Sequence, residues 1–363
     1  MAEFFTEYGL FLLKVITLVV AVLMLVGGLV ASREDKQKSK SGHIEARLLN
    51  DHIKEYRDNL RDAVLSEEQQ KLLQKKHKAE AKAKHKKDKQ TAKAEAKKVK
   101  SSDDAPDADE QRRKRVYVLD FDGDIKASDV ELMREEITSV LTMAEPKDEV
   151  VVRLESGGGM VHSYGLASSQ LQRIKQKGIP LTVCVDMVAA SGGYMMACVA
   201  DKILAAPFAV LGSIGVVAQL PNFHKVLKKH DVDYEMITAG EHKRTLTMFG
   251  ENTDKGREKF REDIEDTHAL FKDFVSENRP QIDIAEVANG DVWFGRRAMA
   301  HKLADELMTS DEYLGQCCEN ADVYEISYVE KVSLQERFGL AVQASLDKTL
   351  LKLWERVSLG RWY

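Results

Sequence analysis

Cysteine is scarce in this chain and follows no metal-binding pattern. The 363 residues hold four cysteines: Cys184, Cys198 and the adjacent Cys317 and Cys318. None sits in a Cys-x-x-Cys or a His/Cys zinc spacing, which argues against a metal site and a disulfide framework alike. Reduced thiols are expected instead. The Gly-Lys-[Ser/Thr] of a P-loop and the spacing of a dinucleotide fingerprint are also missing. So is the Gly-x-Ser-x-Gly elbow of α/β-hydrolases, because Ala189 stands two residues before Ser191. The basic stretch between Lys71 and Lys100 has no interleaved aromatics, so nucleic acid is not an expected partner.

What is present is unevenly placed. A net charge of −5 and 31% charged residues suit a folded protein carrying a charged extension. Residues 1–8 form a short acidic tail. Residues 9–31, GLFLLKVITLVVAVLMLVGGLVA, are apolar apart from Lys14 and Thr17, and about twenty such residues match the thickness of a bilayer. An uncleaved anchor is favoured over a signal peptide, since the preceding MAEFFTEY is acidic and the run is longer than a typical signal core. Arg33, Lys36, Lys38 and Lys40 follow the span, which by the positive-inside bias points the rest of the chain to the cytoplasm. Residues 32–115 read as a charged helical or disordered linker. Within it, residues 43–65 carry helical spacing and the Lys/Ala-rich stretch suits a solvated spacer.

Folded structure is expected from Val116. Strand-like runs at Val116–Phe121, Val150–Leu154, Leu181–Val185, Lys202–Ala205 and Val216–Leu220 alternate with helical spacing at Val130–Met143 and Tyr164–Lys177, the pattern of an α/β domain. That domain is placed at 116–320, with a C-terminal helical extension at 321–363 suited to core packing, subunit packing or membrane-surface contact through Trp354 and Trp362.

Two stretches carry chemistry. Gly157, Gly158 and Gly159 follow a strand and precede a helix, so their N–H groups suit a plain tight turn or an anion or oxyanion site. Ser191 lies among small residues in AASGGYMMACVAD, at a strand-to-helix junction with the Gly192 N–H beside it. A helix-capping serine is the structural alternative. A serine nucleophile needs a base. The downstream histidines His224, His230, His242, His268 and His301 all lie in charged or amphipathic contexts. A desolvated lysine would serve instead, and Lys243 follows a strand-like run and a glycine turn in MITAGEHKRTLTMF. Chemistry alone does not single it out.

Taken in order, ESGGGMV, AASGGYMMACVADKI, GSIGV and AGEHKRTLTMF resemble the signal peptide peptidase A family of serine–lysine peptidases. The motifs cover roughly Val116 to Met308. The resemblance implies a Clp-protease/crotonase-like fold of repeated β-β-α units. It also implies Ser191 as nucleophile and Lys243 as general base, 52 residues later in the chain. Ser213 would orient the lysine, and Gly158 and Gly192 would form the oxyanion hole. The family loop usually reads Ser-Pro-Gly-Gly; here Ser156 precedes three glycines, leaving Gly157 or Gly158 as the donor. Position 216 is Val216, where a Clp-type histidine would stand. No cofactor is implied. Implied partners are peptide or unfolded-protein substrates, the lipid bilayer through residues 9–31, and further copies of the chain in a homo-oligomer. Family layout places the domain on the periplasmic side of a bacterial inner membrane, against the charge bias. A catalytically silent scaffold and a crotonase-like acyl-CoA enzyme are the rival readings.

Overall fold

The computed structural model describes residues 42–66, 68–70 and 112–330, with a few isolated positions between 9 and 17. The expected anchor, apart from those positions, the Lys-rich stretch over 71–100 with the rest of the linker to residue 111, and the part of the C-terminal extension from residue 331 lie outside the described residues. Among the described residues no helix is long and apolar enough to cross a membrane.

The architecture is a mixed α/β fold on one largely parallel sheet. Strand β1 (Gly42–Leu48) and helix α1 (Leu49–Val64) come first; then follow β2 (Arg115–Gly123), α2 (Val130–Val140), β3 (Glu149–Ser156), α3 (Val161–Gln176) and β4 (Leu181–Val185). Next are β5 (Val188–Ala190), α4 (Gly192–Ala197), β6 (Lys202–Ala205), β7 (Val210–Gly212), α5 (His224–Lys229) and α6 (Asp254–Asn278). The chain continues through α7 (Ile284–Val287), β8 (Val292–Phe294), α8 (Gly295–Ala300), β9 (Glu306–Leu307), α9 (Ser310–Asn320) and β10 (Asp322–Glu330). The main strand order is β1-β10-β2-β3-β4-β6-β9.

Alternation along the central strands sorts side chains to two cores. Leu119, Phe121, Val150, Val152, Leu181 and Val183 face one side, together with Ile137 of α2, Leu171 of α3 and Phe271 of α6. Val116, Val118, Val151, Cys184 and Leu204 face the other, under Leu314 of α9. Each fully buried aliphatic side chain contributes roughly 1.5–3 kcal/mol. Strands with both faces covered lose the polar/apolar alternation of a half-exposed sheet and read as continuous apolar runs. That is why Leu181–Val185 and Lys202–Ala205 fall where the sequence suggested.

Strand β3 is the hinge of the design. Its body pairs with β4 from Val150 to Arg153, while its last residue, Ser156, pairs with Ala189 of β5. The sheet therefore forks. Strand β5 continues the second branch in parallel with β7, and β8 closes it antiparallel to β7. The glycine loop after β3 and the serine after β5 leave the sheet side by side.

Three expectations are corrected. The folded part starts before residue 116, because β1 joins the sheet beside β10 and the Asn50 amide donates to the carbonyls of Cys318 and Ala321, both at 2.9 Å. It ends later than residue 320, because residues 322–330 form a strand parallel to β2 rather than helix; β-branched and aromatic residues in DVYEISYV favour that state. No strand forms over Val216–Leu220 or just before Lys243, where the chain is largely exposed and unpaired with the sheet. All four cysteines are free thiols, and burial pushes those of Cys184 and Cys198 up to about 12.

Candidate active site

Ser191 joins β5 to α4 with φ 52° and ψ −117°. A non-glycine residue at positive φ is strained by roughly 1–3 kcal/mol and persists only where its surroundings impose it. Here the Ser191 N–H donates to the Gly212 carbonyl at 2.8 Å, fixing the turn to the end of β7. The side chain accepts no capping bond from the helix, so the capping alternative is not what the structure contains. The backbone turns sharply from strand to helix and presents the hydroxyl at the junction. It is an elbow made without the hydrolase signature.

Ser213 stands in a parallel position. Ala190 and Gly212 are register partners, so Ser191 and Ser213 are the next residues of adjacent strands. Ser213 also has positive φ, 50°, and its N–H donates to the Asp291 carbonyl at 2.6 Å. Both serines line one cavity.

The glycine loop completes the junction. Gly158 has φ +85°, and a methyl group at its Cα would lie 2.6 Å from the Gly192 nitrogen and 2.7 Å from both the Ala190 oxygen and Ser191 Cβ. Only glycine lets the two turns approach this closely. Behind them, Gly192 packs directly against the ring of Tyr164, where any Cβ would clash. The Tyr164 hydroxyl donates to the Asp124 carbonyl at 2.6 Å and shares a 2.5 Å hydrogen bond with Ser156 Oγ. Ser156 Oγ in turn accepts from the Gly158 N–H at 3.0 Å. Burial raises the Tyr164 phenol above its ordinary range, opposed by its bond to Ser156. It is thus held neutral as a fixed donor. Ser156 belongs to the glycine-loop motif, but its pairing with Tyr164, a residue of no motif, becomes visible only when the fold brings the two together.

The cavity has a volume of about 620 Å³. Gly157, Gly158, Gly159, Ser191, Gly192 and Ser213 form its polar floor, and Val161, Met195, Val216, Val217 and Phe271 add apolar walls. Helix α4 places the Gly192 N–H in its first turn, where no helical acceptor precedes it. That N–H lies beside the Ser191 hydroxyl. The Gly158 N–H, by contrast, is directed at Ser156 Oγ. Helix α6 contributes Thr267 and His268 to the lining, and the His268 ring Nε2 lies 3.2 Å from the Ile214 carbonyl. Sequence context made His268 look like one more surface histidine on an amphipathic helix.

Lys243 is elsewhere. It is not among the residues lining the cavity and is exposed, in a turn closed by its N–H donating to the Gly240 carbonyl at 3.2 Å. The surrounding segment, 217–244, is exposed almost throughout. It includes Val217 at 80% and Ile237 at 94% exposure, far more than a settled core segment shows. Of the five site residues expected from the sequence, the structure gathers four and leaves Lys243 apart.

Comparisons with known proteins place the chain in context. The family model described as "Peptidase family S49 N-terminal" matches residues 3–171, and "Peptidase family S49" matches residues 173–324. The "Probable protease SohB" of Haemophilus influenzae is 51% identical over 94% of this chain and 94% of its own length. The "Probable protease SohB" of Buchnera aphidicola subsp. Schlechtendalia chinensis is 45% identical over 86% of this chain and 99% of its own. Among solved structures, a 1510-N membrane-bound stomatin-specific protease aligns at TM-score 0.40 and 14% identity, covering 59% of this chain and 98% of that one.

Proposed function

The chain belongs to peptidase family S49 and is a protease, and from that premise we propose that it is a membrane-anchored serine endopeptidase working through a Ser191–Lys243 dyad. The observation that carries the reading is the Ser191 elbow. A hydroxyl on a strained strand-to-helix turn, with a helix-start N–H beside it and a glycine loop packed against it, is built to attack a carbonyl and hold the resulting oxyanion. The forked sheet that sets this junction suits the Clp-protease/crotonase-like arrangement of β-β-α units.

In the proposed reaction, neutral Lys243 Nζ takes the proton from Ser191 Oγ as that oxygen bonds to the peptide carbonyl carbon. The Gly192 N–H stabilises the oxyanion, joined by an N–H of the Gly157–Gly158 turn once the substrate oxygen competes for it with Ser156 Oγ. Collapse of the tetrahedral intermediate breaks the C–N bond, and the lysine returns its proton to the leaving amine. An acyl-enzyme remains. Lys243 then takes a proton from water as its oxygen attacks the ester carbonyl, and passes that proton to Ser191 Oγ as the C–O bond breaks, releasing the acid product and restoring both residues. Ser213 would accept a hydrogen bond from the Lys243 ammonium and orient it between these steps.

The reading requires Lys243 to reach the cavity from an exposed segment. Exposed apolar residues on that segment, among them Ile237, Val232 and Phe223, suit a surface that is covered in use. Assembly of copies of this chain would cover it, carry Lys243 to the cavity and desolvate the amine, which lowers a lysine pKa toward neutrality. Substrates would be signal peptides or unfolded segments whose apolar side chains fit the walls formed by Val161, Met195 and Phe271. The anchor at 9–31 would hold the enzyme in a bacterial inner membrane, with its domain on the periplasmic side; protease accessibility in spheroplasts tests that placement. Cleavage of casein by the full chain tests the activity. Wild-type protein should degrade it, and Ser191→Ala should not; equal rates for the two would end the serine-peptidase reading.

A further inference from the structure

The residues between β7 and α5 contain a short strap, Ser213 to Val217, that forms one wall of the cavity. It begins at a strained residue, since Ser213 has φ 50°. It leaves the sheet without continuing any strand. Something other than strand pairing must hold it. On one side the Ser213 N–H donates to the Asp291 carbonyl at 2.6 Å, and Gly215 approaches so closely that a methyl there would lie 3.2 Å from the Gly290 Cα. On the other side the Ile214 carbonyl faces His268 Nε2 at 3.2 Å. A carbonyl oxygen only accepts, so the facing ring nitrogen carries a proton and donates.

We propose that His268 is a positioning residue of the active site, whose Nε2–H clamps the Ile214 carbonyl and thereby holds the Ser213 hydroxyl and the Ser213–Val217 wall in register with Ser191. The inference rests on the peptidase reading for its effect on rate, but the clamp itself does not. Helix α6 is the suitable support. It is 25 residues long, capped at its start by the Thr253 side chain accepting from the Gly256 N–H at 3.1 Å. Phe271 and Val275 bury it in the core. A rigid element therefore reaches across to a strap that has no rigidity of its own. Ile214, fully buried, anchors the strap's side chain while His268 anchors its backbone.

The donor role distinguishes substitutions that a packing role would not. His268→Gln keeps an N–H at similar reach, whereas His268→Phe keeps ring volume and removes the donor. Hydrogen exchange of the full chain, read on peptides covering 213–220, should be faster in His268→Phe and restored toward wild type in His268→Gln, with β2 and β3 unchanged in both. Casein hydrolysis should fall about ten- to a hundredfold in kcat for His268→Phe, with KM little changed, because misplacement of a supporting group costs rate more than binding. His268→Gln should recover most of that loss. Unchanged exchange at 213–220 in His268→Phe would overturn the clamp, as would His268→Gln behaving like His268→Phe. If wild type fails to cleave casein while the strap still loosens in His268→Phe, the peptidase reading has failed and the clamp stands.

Discussion

Two regions of this molecule are built on opposite principles. The Ser191 junction is half-buried, strained and over-determined. Its N–H is tied to Gly212, its neighbour Gly192 is pressed against Tyr164, and Gly158 leaves no room for a methyl group. The Lys243 segment is exposed, paired with no strand of the sheet, and separated from the cavity lining. Phe223 stacks on Phe249 at 6.1 Å and the Asn222 amide reaches the Thr247 carbonyl at 2.9 Å, so the segment has local order but no place in the core. Pre-organisation of a nucleophile needs a low-dielectric, immobile setting, and a folded core supplies it within one chain. Under the proposed dyad, a base recruited from an exposed segment would give the enzyme a second condition for activity. Under this account an unassembled chain holds a poised serine without its partner.

The largest expected effect breaks the Ser191 side. Ser191→Ala should lower peptide hydrolysis by about a thousandfold or more and leave the thermal midpoint nearly unchanged, measured by initial rates and by calorimetry. Lys243→Ala should lower activity as severely. Because the side chain is exposed, its stability cost should stay within about 0.5 kcal/mol. Lys243→Arg should not rescue it, since a guanidinium does not give up its proton. Recovery of activity in the arginine variant would contradict the role of base.

A smaller contrast lies within the glycine loop. Gly158→Ala should destabilise the protein by about 2 kcal/mol or more, through a Cβ forced against Ser191 at positive φ. At Gly157 nothing lies within 4 Å of an added Cβ, so Gly157→Ala should be close to neutral in urea titrations. On the exposed side, Ile237→Asp should leave the melting temperature alone, shift sedimentation toward smaller species and reduce activity about tenfold or more. A change in melting temperature without a change in sedimentation would count against a covered surface.

The smallest effect concerns pH and a group remote from the site. Glu136 of α2 is buried and accepts from the Tyr328 N–H at 2.9 Å. Burial raises its carboxyl from the ordinary 4.5 to about 7, partly opposed by that hydrogen bond. A carboxyl with a raised folded-state value favours the fold while protonated. Its contribution is full below about pH 4.5 and is lost as pH rises to about 7. Glu136→Gln should flatten the stability profile across that window, as followed by denaturant midpoints.

Much of this was legible in the sequence, for reasons particular to each element. Buried parallel strands announce themselves as apolar runs, and the glycines of the 157–159 loop and the small residues around Ser191 marked where backbones meet. Other parts were not legible. Strand β1 ends the main strand order and β10 lies between it and β2, and their place depends on long-range pairing that local propensity does not encode. The Ser156–Tyr164 buttress and the His268 clamp are contacts between ordinary residues, visible only when the fold brings them together. Lys243 presents the reverse case. The family resemblance points to it, yet one folded chain does not carry it to the serine.

The central claim is that Ser191 is a poised nucleophile that reacts only with the help of Lys243. A serine-reactive fluorophosphonate, with the adduct mapped by mass spectrometry in the folded full-length protein, tests it directly. The account expects a single adduct on Ser191 in wild type and none in Ser191→Ala. In Lys243→Ala it expects labelling slowed by about a hundredfold or more. An unmodified Ser191 in folded wild-type protein, or undiminished labelling in Lys243→Ala, would contradict it.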